Sequence, residues 1–274
     1  MYGVVTRNEG ELHWPAFDTA FFEAKSVSGR AEQPQPDVVN MVSCFADNAT
    51  ARDSPALVPV SETGERATRE QPYFDWAHIC PTHDRYREGV LATIEECVAV
   101  SPDLRLDDVG FPRPEYCHCD RCNQAFGDSE FTDRFAWRQS VIESFLQDVR
   151  DIVPGRLYLT LYPDPYPGHL QKRTGIDPTA LEMIDEFVIP IYDMAYSTTY
   201  WLESLAKGFV SRLKTPFSIE LYAVDVDVDA LGKATTVAQA YAKDVLFGYD
   251  ASNAQATIRR LDADARDGKS FSHT

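Results

Sequence analysis

Lysine is scarce in this chain, and acidic residues outnumber basic residues as a whole. Only seven of the 26 basic residues are lysines, against 43 acidic residues, which gives a formal net charge of -17. No nucleic-acid partner is expected, because binding phosphates requires a basic surface. An acidic surface with Arg preferred to Lys is typical of a high-salt cytoplasm, where a Debye length of ~3 Å at molar salt relieves self-repulsion. The composition therefore predicts a halophilic protein.

Long apolar runs and glycine-rich signatures are also missing. No stretch approaches the ~18 apolar residues of a membrane span. The N-terminal residues 1–7 enter strand-like sequence without the apolar core of a signal peptide. Spaced glycines of a dinucleotide site and the Lys-Ser/Thr of a P-loop are absent after this strand. We therefore expect a cytoplasmic protein without membrane association and without a nucleotide-binding loop of either kind.

Six cysteines are too few for a disulfide scaffold, and their clustering favours a metal. Three of them form a C-x-C-x-x-C motif, whose thiolates can converge on one tetrahedral ion when the backbone turns tightly. A fourth thiol lies upstream, where we expect the end of the preceding strand, and His78 is the alternative fourth ligand. The expected ligands of a structural zinc ion are Cys80, Cys117, Cys119 and Cys122.

Strand-like runs and amphipathic helical segments alternate along much of the chain, which predicts a parallel α/β fold. The expected strands are Gly3–Thr6, Val38–Phe45, Phe74–Ile79, Leu104–Asp107, Arg156–Tyr162, Glu186–Tyr192, Phe217–Tyr222 and Val245–Gly248. The expected helices are Arg87–Val100, Ser129–Ile152, Asp177–Asp185, Thr199–Arg212, Thr235–Asp244 and Asn253–Ala265. Eight strands and 274 residues favour a single (β/α)8 TIM barrel over residues 1–274, rather than an open doubly wound sheet.

Polar residues at strand ends are the candidates for chemistry, because the carboxyl ends of barrel strands meet at one mouth. Glu220 interrupts the apolar seventh strand, where a buried carboxylate costs several kcal/mol unless it is paired. It is either catalytic or the partner of an interior Arg. Asp107 and Asp108 end the fourth strand, and alternation places Arg105 and Asp107 on one face. Either Asp is a catalytic carboxylate or a cap of the following loop.

Asp193 ends the sixth strand and is a candidate partner of the fourth-strand carboxylates. Its alternative role is that of a turn or N-cap residue. Aromatic and basic side chains near strand ends suit a hydroxyl-rich ligand, since aromatic faces stack on sugar rings. The expected substrate-binding residues are Arg7, His78, Arg113, Tyr162 and Tyr192. The sequence leaves open whether the chain forms a homo-oligomer.

These residues together resemble glycoside hydrolases of the (β/α)8 class, most nearly the family 42 β-galactosidases. The resemblance lies in an upstream Cys, a fourth-strand carboxylate, the C-x-C-x-x-C motif some nine residues later and a seventh-strand Glu. It implies that Cys80, Cys117, Cys119 and Cys122 bind structural zinc. It also implies an acid/base at Asp107-Asp108 and a nucleophile at Glu220. The family has Asn-Glu where this chain has Asp107-Asp108, which changes the reach of the acid.

A second resemblance is to α-glycosidase barrels that use an Asp on strand four as nucleophile and an Asp on strand six as acid. It would make Asp107 or Asp108 the nucleophile and Asp193 the acid. We therefore expect a glycoside hydrolase that acts on a carbohydrate, or on another small molecule, through paired carboxylates. The alternatives are a zinc-dependent hydrolase, in which the metal keeps an open position for water, and a sugar-binding barrel without activity.

Overall fold

A computed structural model of the protein describes residues 1–268, which form a closed barrel of eight parallel strands in sequential order. The strands are β1 (Tyr2–Thr6), β2 (Thr19–Lys25), β3 (Val39–Ser43), β4 (Leu104–Asp107), β5 (Leu157–Thr160), β6 (Glu186–Pro190), β7 (Phe217–Tyr222) and β8 (Val245–Gly248). The helices are α1 (Asn48–Asp53), α2 (Asp84–Val98), α3 (Asp120–Gly127), α4 (Arg134–Ile152), α5 (Pro167–Thr174), α6 (Tyr200–Val210), α7 (Val228–Gln239) and α8 (Ala251–Arg266). The predicted (β/α)8 barrel is confirmed.

Side chains alternate between two apolar layers, as the pleat of a strand requires. One layer fills the barrel interior and consists of Val5, Phe21, Val39, Met41, Tyr158, Val188 and Leu246. The other layer packs the strands against the helices and includes Leu104 and Leu106 of β4. Arg105, between these two leucines, is buried next to the Phe21 ring of the interior layer. Within residues 1–268, the interior of the barrel is therefore filled by packed side chains.

Two predictions about the first half of the sheet are wrong. The segment Phe74–Ile79 is not a strand: it lies in the long connection between β3 and α2, where the amide of Ile79 donates to the Phe45 carbonyl. The true second strand, β2, had no predicted counterpart. Its charged residues Glu23 and Lys25 obscure its apolar pattern, yet both are buried because each has an ionic partner. The predicted number of strands, eight, was thus correct because one false strand offset one missed strand.

Several helix boundaries also differ from prediction. Residues 177–185 are not a helix. The helix of this connection is α5, which has Pro167 at its first position, ends at Thr174 and is capped by Gly175 with φ 83°. The segment predicted as Thr235–Asp244 begins earlier, at Val228, because Asp227 caps the backbone amides of Asp229 and Ala230.

None of the helices within residues 1–268 combines the length and apolarity needed to cross a membrane.

Candidate active site

A pocket of about 490 Å³ opens at the carboxyl ends of the strands, where ligand sites of this architecture lie. Side chains from several strands and from the loops that follow them converge there. Its acidic residues are Glu23, Asp107 and Asp108, its arginines are Arg7 and Arg105, and its large aromatic residues are Trp76, Tyr162, Tyr192 and Tyr249. Carboxyl groups beside aromatic walls suit a ligand that carries both hydroxyl groups and apolar ring faces.

Asp107 is the last residue of β4, Asp108 follows it, and both line the pocket. Asp107 Oδ2 lies 3.9 Å from the Arg105 guanidinium, and Asp107 Oδ1 accepts a hydrogen bond from the Asp108 amide. Asp108 adopts a left-handed backbone with φ 52°, which is uncommon for a residue other than glycine. Both carboxyl groups therefore face the pocket, although neighbouring residues of a regular strand point to opposite faces.

The carboxyl group of Asp108 has a raised pKa. Burial and the negative charge of Asp107 raise the pKa of Asp108 to about 8, against the Lys25 charge and a hydrogen bond with Ser43, which lowers this pKa if Ser43 is the donor. Asp108 therefore carries a proton at neutral pH. Ser43 Oγ lies 2.6 Å from Asp108 Oδ2 and 3.0 Å from the Ala46 carbonyl oxygen. A protonated acid thus stands directly beside a second carboxyl group.

Glu220 lies beneath the pocket and has no exposed surface. Its Oε2 is 2.6 Å from the Arg105 guanidinium, and its Oε1 accepts a hydrogen bond from the Tyr192 hydroxyl. Burial and the charge of Glu220 raise the pKa of Tyr192, so that this phenol stays protonated and donates. Arg105 Nε also donates to Thr160 Oγ1 at 3.0 Å. Glu220 therefore contacts two residues that line the pocket, Arg105 and Tyr192, but does not line the pocket itself.

Glu23 is a pocket carboxylate that sequence reasoning missed. It lies on β2, forms an ion pair with Arg7 and lies 3.4 Å from the Tyr249 hydroxyl. Burial raises the pKa of Glu23, while Arg7 opposes this rise. Arg7 in turn lies over the Tyr249 ring at 4.8 Å. An Arg at the end of β1 was the only available signal, since an acidic partner for it is expected near the mouth.

The predicted substrate-binding residues separate into two groups. Arg7, Tyr162 and Tyr192 line the pocket. His78 is buried against the Phe74 ring, and burial together with the Arg173 charge lowers the pKa of His78 to about 3, so that it is neutral. Arg113 stacks on Tyr73 and pairs with Glu115 at 3.3 Å. The structure therefore does not bring His78 or Arg113 to the lining of the pocket.

Asp193, the predicted sixth-strand carboxylate, is exposed in the loop after β6. Its Oδ1 accepts hydrogen bonds from the amides of Ala195 and Tyr196 at 2.9 and 3.1 Å. This is the geometry of an Asx turn, in which the side chain satisfies nearby backbone donors. Asp193 is not among the pocket-lining residues. The structure thus favours the turn role that the sequence had left open.

The four predicted metal ligands come together. The ligand atoms of Cys80, Cys117, Cys119 and Cys122 all lie within 4.8 Å of one another, and all except Cys119 are buried. The amides of Val60 and Cys119 lie 3.4 Å from Cys117 Sγ, where they stabilise a thiolate. His78 is not part of this group. Four cysteines at this separation can hold a metal ion.

Comparison with solved structures agrees with the fold. The chain is similar to α-L-fucosidase isoenzyme 2 from Paenibacillus thiaminolyticus, with a TM-score of 0.68 and 14% identity over 97% of this chain and 50% of that one. An endo-β-mannanase/endo-β-glucanase from Prevotella bryantii matches at a TM-score of 0.47 and 9% identity over 90% of this chain and 41% of that one.

An α-amylase from Lactobacillus plantarum matches at a TM-score of 0.43 and 10% identity over 90% of this chain and 70% of that one. No protein-family model and no curated protein sequence matches the chain. At such low identity the likeness to the fucosidase shows the barrel fold alone, and the chain spans half the length of that enzyme.

Proposed function

We propose that the protein is a glycoside hydrolase whose working carboxyl groups are Asp107 and Asp108. The observation that carries this proposal is the pairing of a protonated and a second carboxyl group at the mouth of the barrel, within a pocket that has aromatic walls. Glycoside hydrolysis needs such a pair, with one acid to protonate the leaving oxygen and one carboxylate to support the cationic centre.

The roles follow from the surroundings of each group. Asp108 donates its proton to the glycosidic oxygen and becomes a carboxylate as the bond to the anomeric carbon breaks. Water then bonds to the anomeric carbon, and the proton that it loses restores the acid form of Asp108. Asp107 supplies the carboxylate that stabilises the anomeric centre, and Arg105 at 3.9 Å fixes its orientation. Glu23 and Arg7 bind sugar hydroxyl groups at the edge of the pocket, and Tyr162 and Tyr192 offer aromatic faces. Glu220 acts through Arg105 and Tyr192 as a positioning residue.

The sequence had offered Glu220 as the nucleophile, and its surroundings favour the other interpretation of the sequence, an ion pair with an interior Arg. A nucleophile must reach the anomeric carbon, whereas Glu220 is fully buried and has both oxygens in contact with Arg105 and Tyr192. Asp193 as the acid is disfavoured for a related reason, because its carboxylate is engaged by backbone amides.

We further propose that the four cysteines bind one structural zinc ion. A metal–sulfur distance of ~2.3 Å places the sulfurs of a tetrahedron ~3.8 Å apart, which agrees with the observed cluster. Zinc held there would tie the connection before α2 to the loop that begins after Asp108. Four thiolates close the coordination sphere, which argues against zinc as the catalytic group. None of the four cysteines lines the pocket.

The test is hydrolysis of nitrophenyl α- and β-glycosides in molar KCl by the wild type, Asp107→Asn and Asp108→Asn, with one control variant of the barrel core. The matched control is Glu186→Gln, since Glu186 is also a buried, ion-paired carboxylate but begins β6 at the opposite end of the barrel. Turnover lost in both Asp variants and retained in Glu186→Gln supports the proposal. Tight sugar binding without turnover by the wild type would favour a binding protein instead.

A further inference from the structure

The hydroxyl group of Ser43 is shared between two oxygen atoms but has only one proton to give. Its Oγ lies 2.6 Å from Asp108 Oδ2 and 3.0 Å from the carbonyl oxygen of Ala46. Neither the carbonyl nor an ionised carboxylate can donate a hydrogen bond. If Asp108 were ionised, Ser43 would therefore leave one of these two acceptors without a partner.

The Ala46 carbonyl needs the Ser43 hydroxyl as its hydrogen-bond donor. Ala46 is fully buried, and the donor to its carbonyl oxygen within residues 1–268 is Ser43. The adjoining amides of Asp47 and Ile79 donate elsewhere, to the carbonyls of Ala77 and Phe45. A buried carbonyl left unpaired costs roughly 1 to 3 kcal/mol. The arrangement that satisfies every group has Ser43 donating to Ala46 and accepting from Asp108.

We infer that Ser43 accepts a hydrogen bond from a protonated Asp108 while donating its own proton to Ala46, and that Ser43 thereby holds Asp108 in its acid form. This makes Ser43 a positioning residue that keeps the proton on Asp108 before substrate binds. Its importance for turnover rests on the function proposed above, in which the O–H of Asp108 turns from Ser43 to the glycosidic oxygen before it donates. Ionisation of Asp108 would leave a carboxylate facing an oxygen lone pair unless Ser43 abandoned the Ala46 carbonyl. Either outcome penalises the carboxylate form.

Other ionisable groups around Asp108 also interact with its carboxyl group. Those that interact with it electrostatically are Asp107, Glu23, Lys25, Cys44, Tyr86 and Tyr162. The two carboxylates oppose ionisation of Asp108 and the Lys25 ammonium favours it. Burial raises the pKa of the Cys44 thiol and of both phenols, so these three are neutral. Lys25 Nζ also donates to the Ser43 carbonyl at 2.8 Å, which anchors the backbone of Ser43.

The direction of the Ser43 hydrogen bond determines the sign of a measurable shift. If Ser43 accepts from the acid, Ser43→Ala removes a partner of the neutral form, and the pKa of Asp108 falls by about one unit. If Ser43 instead donates to the carboxylate, the same substitution raises it. Ser43→Thr keeps the hydroxyl and should stay near the wild-type value.

The experiment is infrared titration of the protonated carboxyl band, with Asp108→Asn subtracted to isolate the signal of Asp108. Ser101→Ala is the matched control, because Ser101 is also a buried serine that donates to a carbonyl, that of Val38, and does not touch Asp108. We expect a lower pKa in Ser43→Ala and no change in Ser101→Ala. A raised or unchanged pKa in Ser43→Ala overturns the inference.

A further measurement covers the case in which Ser43→Ala does not fold. Wild-type protein at pH 6.5 must show a protonated carboxyl band that Asp108→Asn lacks, and its absence would also overturn the inference. Both readings are independent of turnover. A failed glycosidase assay with the expected titration would reject the proposed function and leave the Ser43 assignment intact.

Discussion

The Arg105 guanidinium lies 2.6 Å from Glu220 Oε2, in a layer of the barrel where neither side chain has appreciable contact with solvent. The same guanidinium is 3.9 Å from Asp107. An unpaired charge in such a place is strongly unfavourable. Glu220 therefore fixes the position of Arg105, which lines the pocket and lies close to Asp107, a proposed working carboxylate.

Glu220→Gln should lower the free energy of unfolding by roughly 3 to 5 kcal/mol, because it removes the carboxylate in direct contact with the buried Arg105 and leaves Asp107 at 3.9 Å. Chemical denaturation of the variant and the wild type measures this difference. Catalytic activity should fall only in part. Addition of azide to Glu220→Ala distinguishes the roles, since azide replaces a missing nucleophile but not a positioning group. Restored turnover with azide would return the nucleophile role to Glu220.

Asp108 should make the stability of the protein depend on pH. The pKa of Asp108 in the folded protein is about 8, raised above the ~3.9 of an unfolded Asp. Its contribution to stability is therefore fully present below about pH 4 and is lost as the pH rises towards 8. Asp108→Asn, which resembles the neutral acid, should become progressively more stable relative to the wild type over this range. Urea unfolding at several pH values checks the trend, and a pH-independent difference would contradict it.

One zinc ion per chain is expected in purified protein, and Cys117→Ser should lose it, because a structural site needs all of its thiolates. Elemental analysis provides the measurement. Cys97→Ala is the control, since Cys97 is a buried thiol of α2 outside the cluster and its loss should leave the zinc content unchanged. Less than half an equivalent of zinc in wild-type protein, with the cluster thiols reduced and reactive, would refute the site.

The melting temperature should rise as KCl increases from millimolar to molar concentration, because screening relieves the repulsion of a net charge of -17. Thermal melts in KCl and in sucrose of equal osmolality separate screening from general effects of cosolvents on burial. A melting temperature that responds equally to both solutes would remove the halophilic interpretation.

Some strands were predictable from the sequence despite their charged residues, and β2 was not. β4, β7 and β8 match their predicted bounds, although β4 carries Arg105 and Asp107 and β7 carries Glu220. β2 was missed since Glu23 and Lys25 are satisfied by Arg7, Asp47 and the Ser43 carbonyl, partners that are distant in sequence. Local pattern carries no information about such partners.

The candidate site was predictable to a similar extent. The cysteine cluster could be anticipated because three of its thiols are close in sequence, and Asp107 and Asp108 because they end a clear strand. Glu23 was not predicted as a site residue, because its strand, β2, was not predicted either. The choice between catalysis and an ion pair for Glu220 depended on the position of Arg105, which is remote along the chain and adjacent only in the folded barrel.

The most direct test of the central claim is the dependence of Asp108→Asn activity on the leaving group. An acid is needed most when the departing oxygen is strongly basic, so the variant should lose roughly 10²- to 10⁴-fold on an alkyl glycoside. It should lose far less on a dinitrophenyl glycoside of the same sugar, which departs without protonation. Equal losses on both substrates would contradict the assignment of Asp108 as the acid of a glycoside hydrolase.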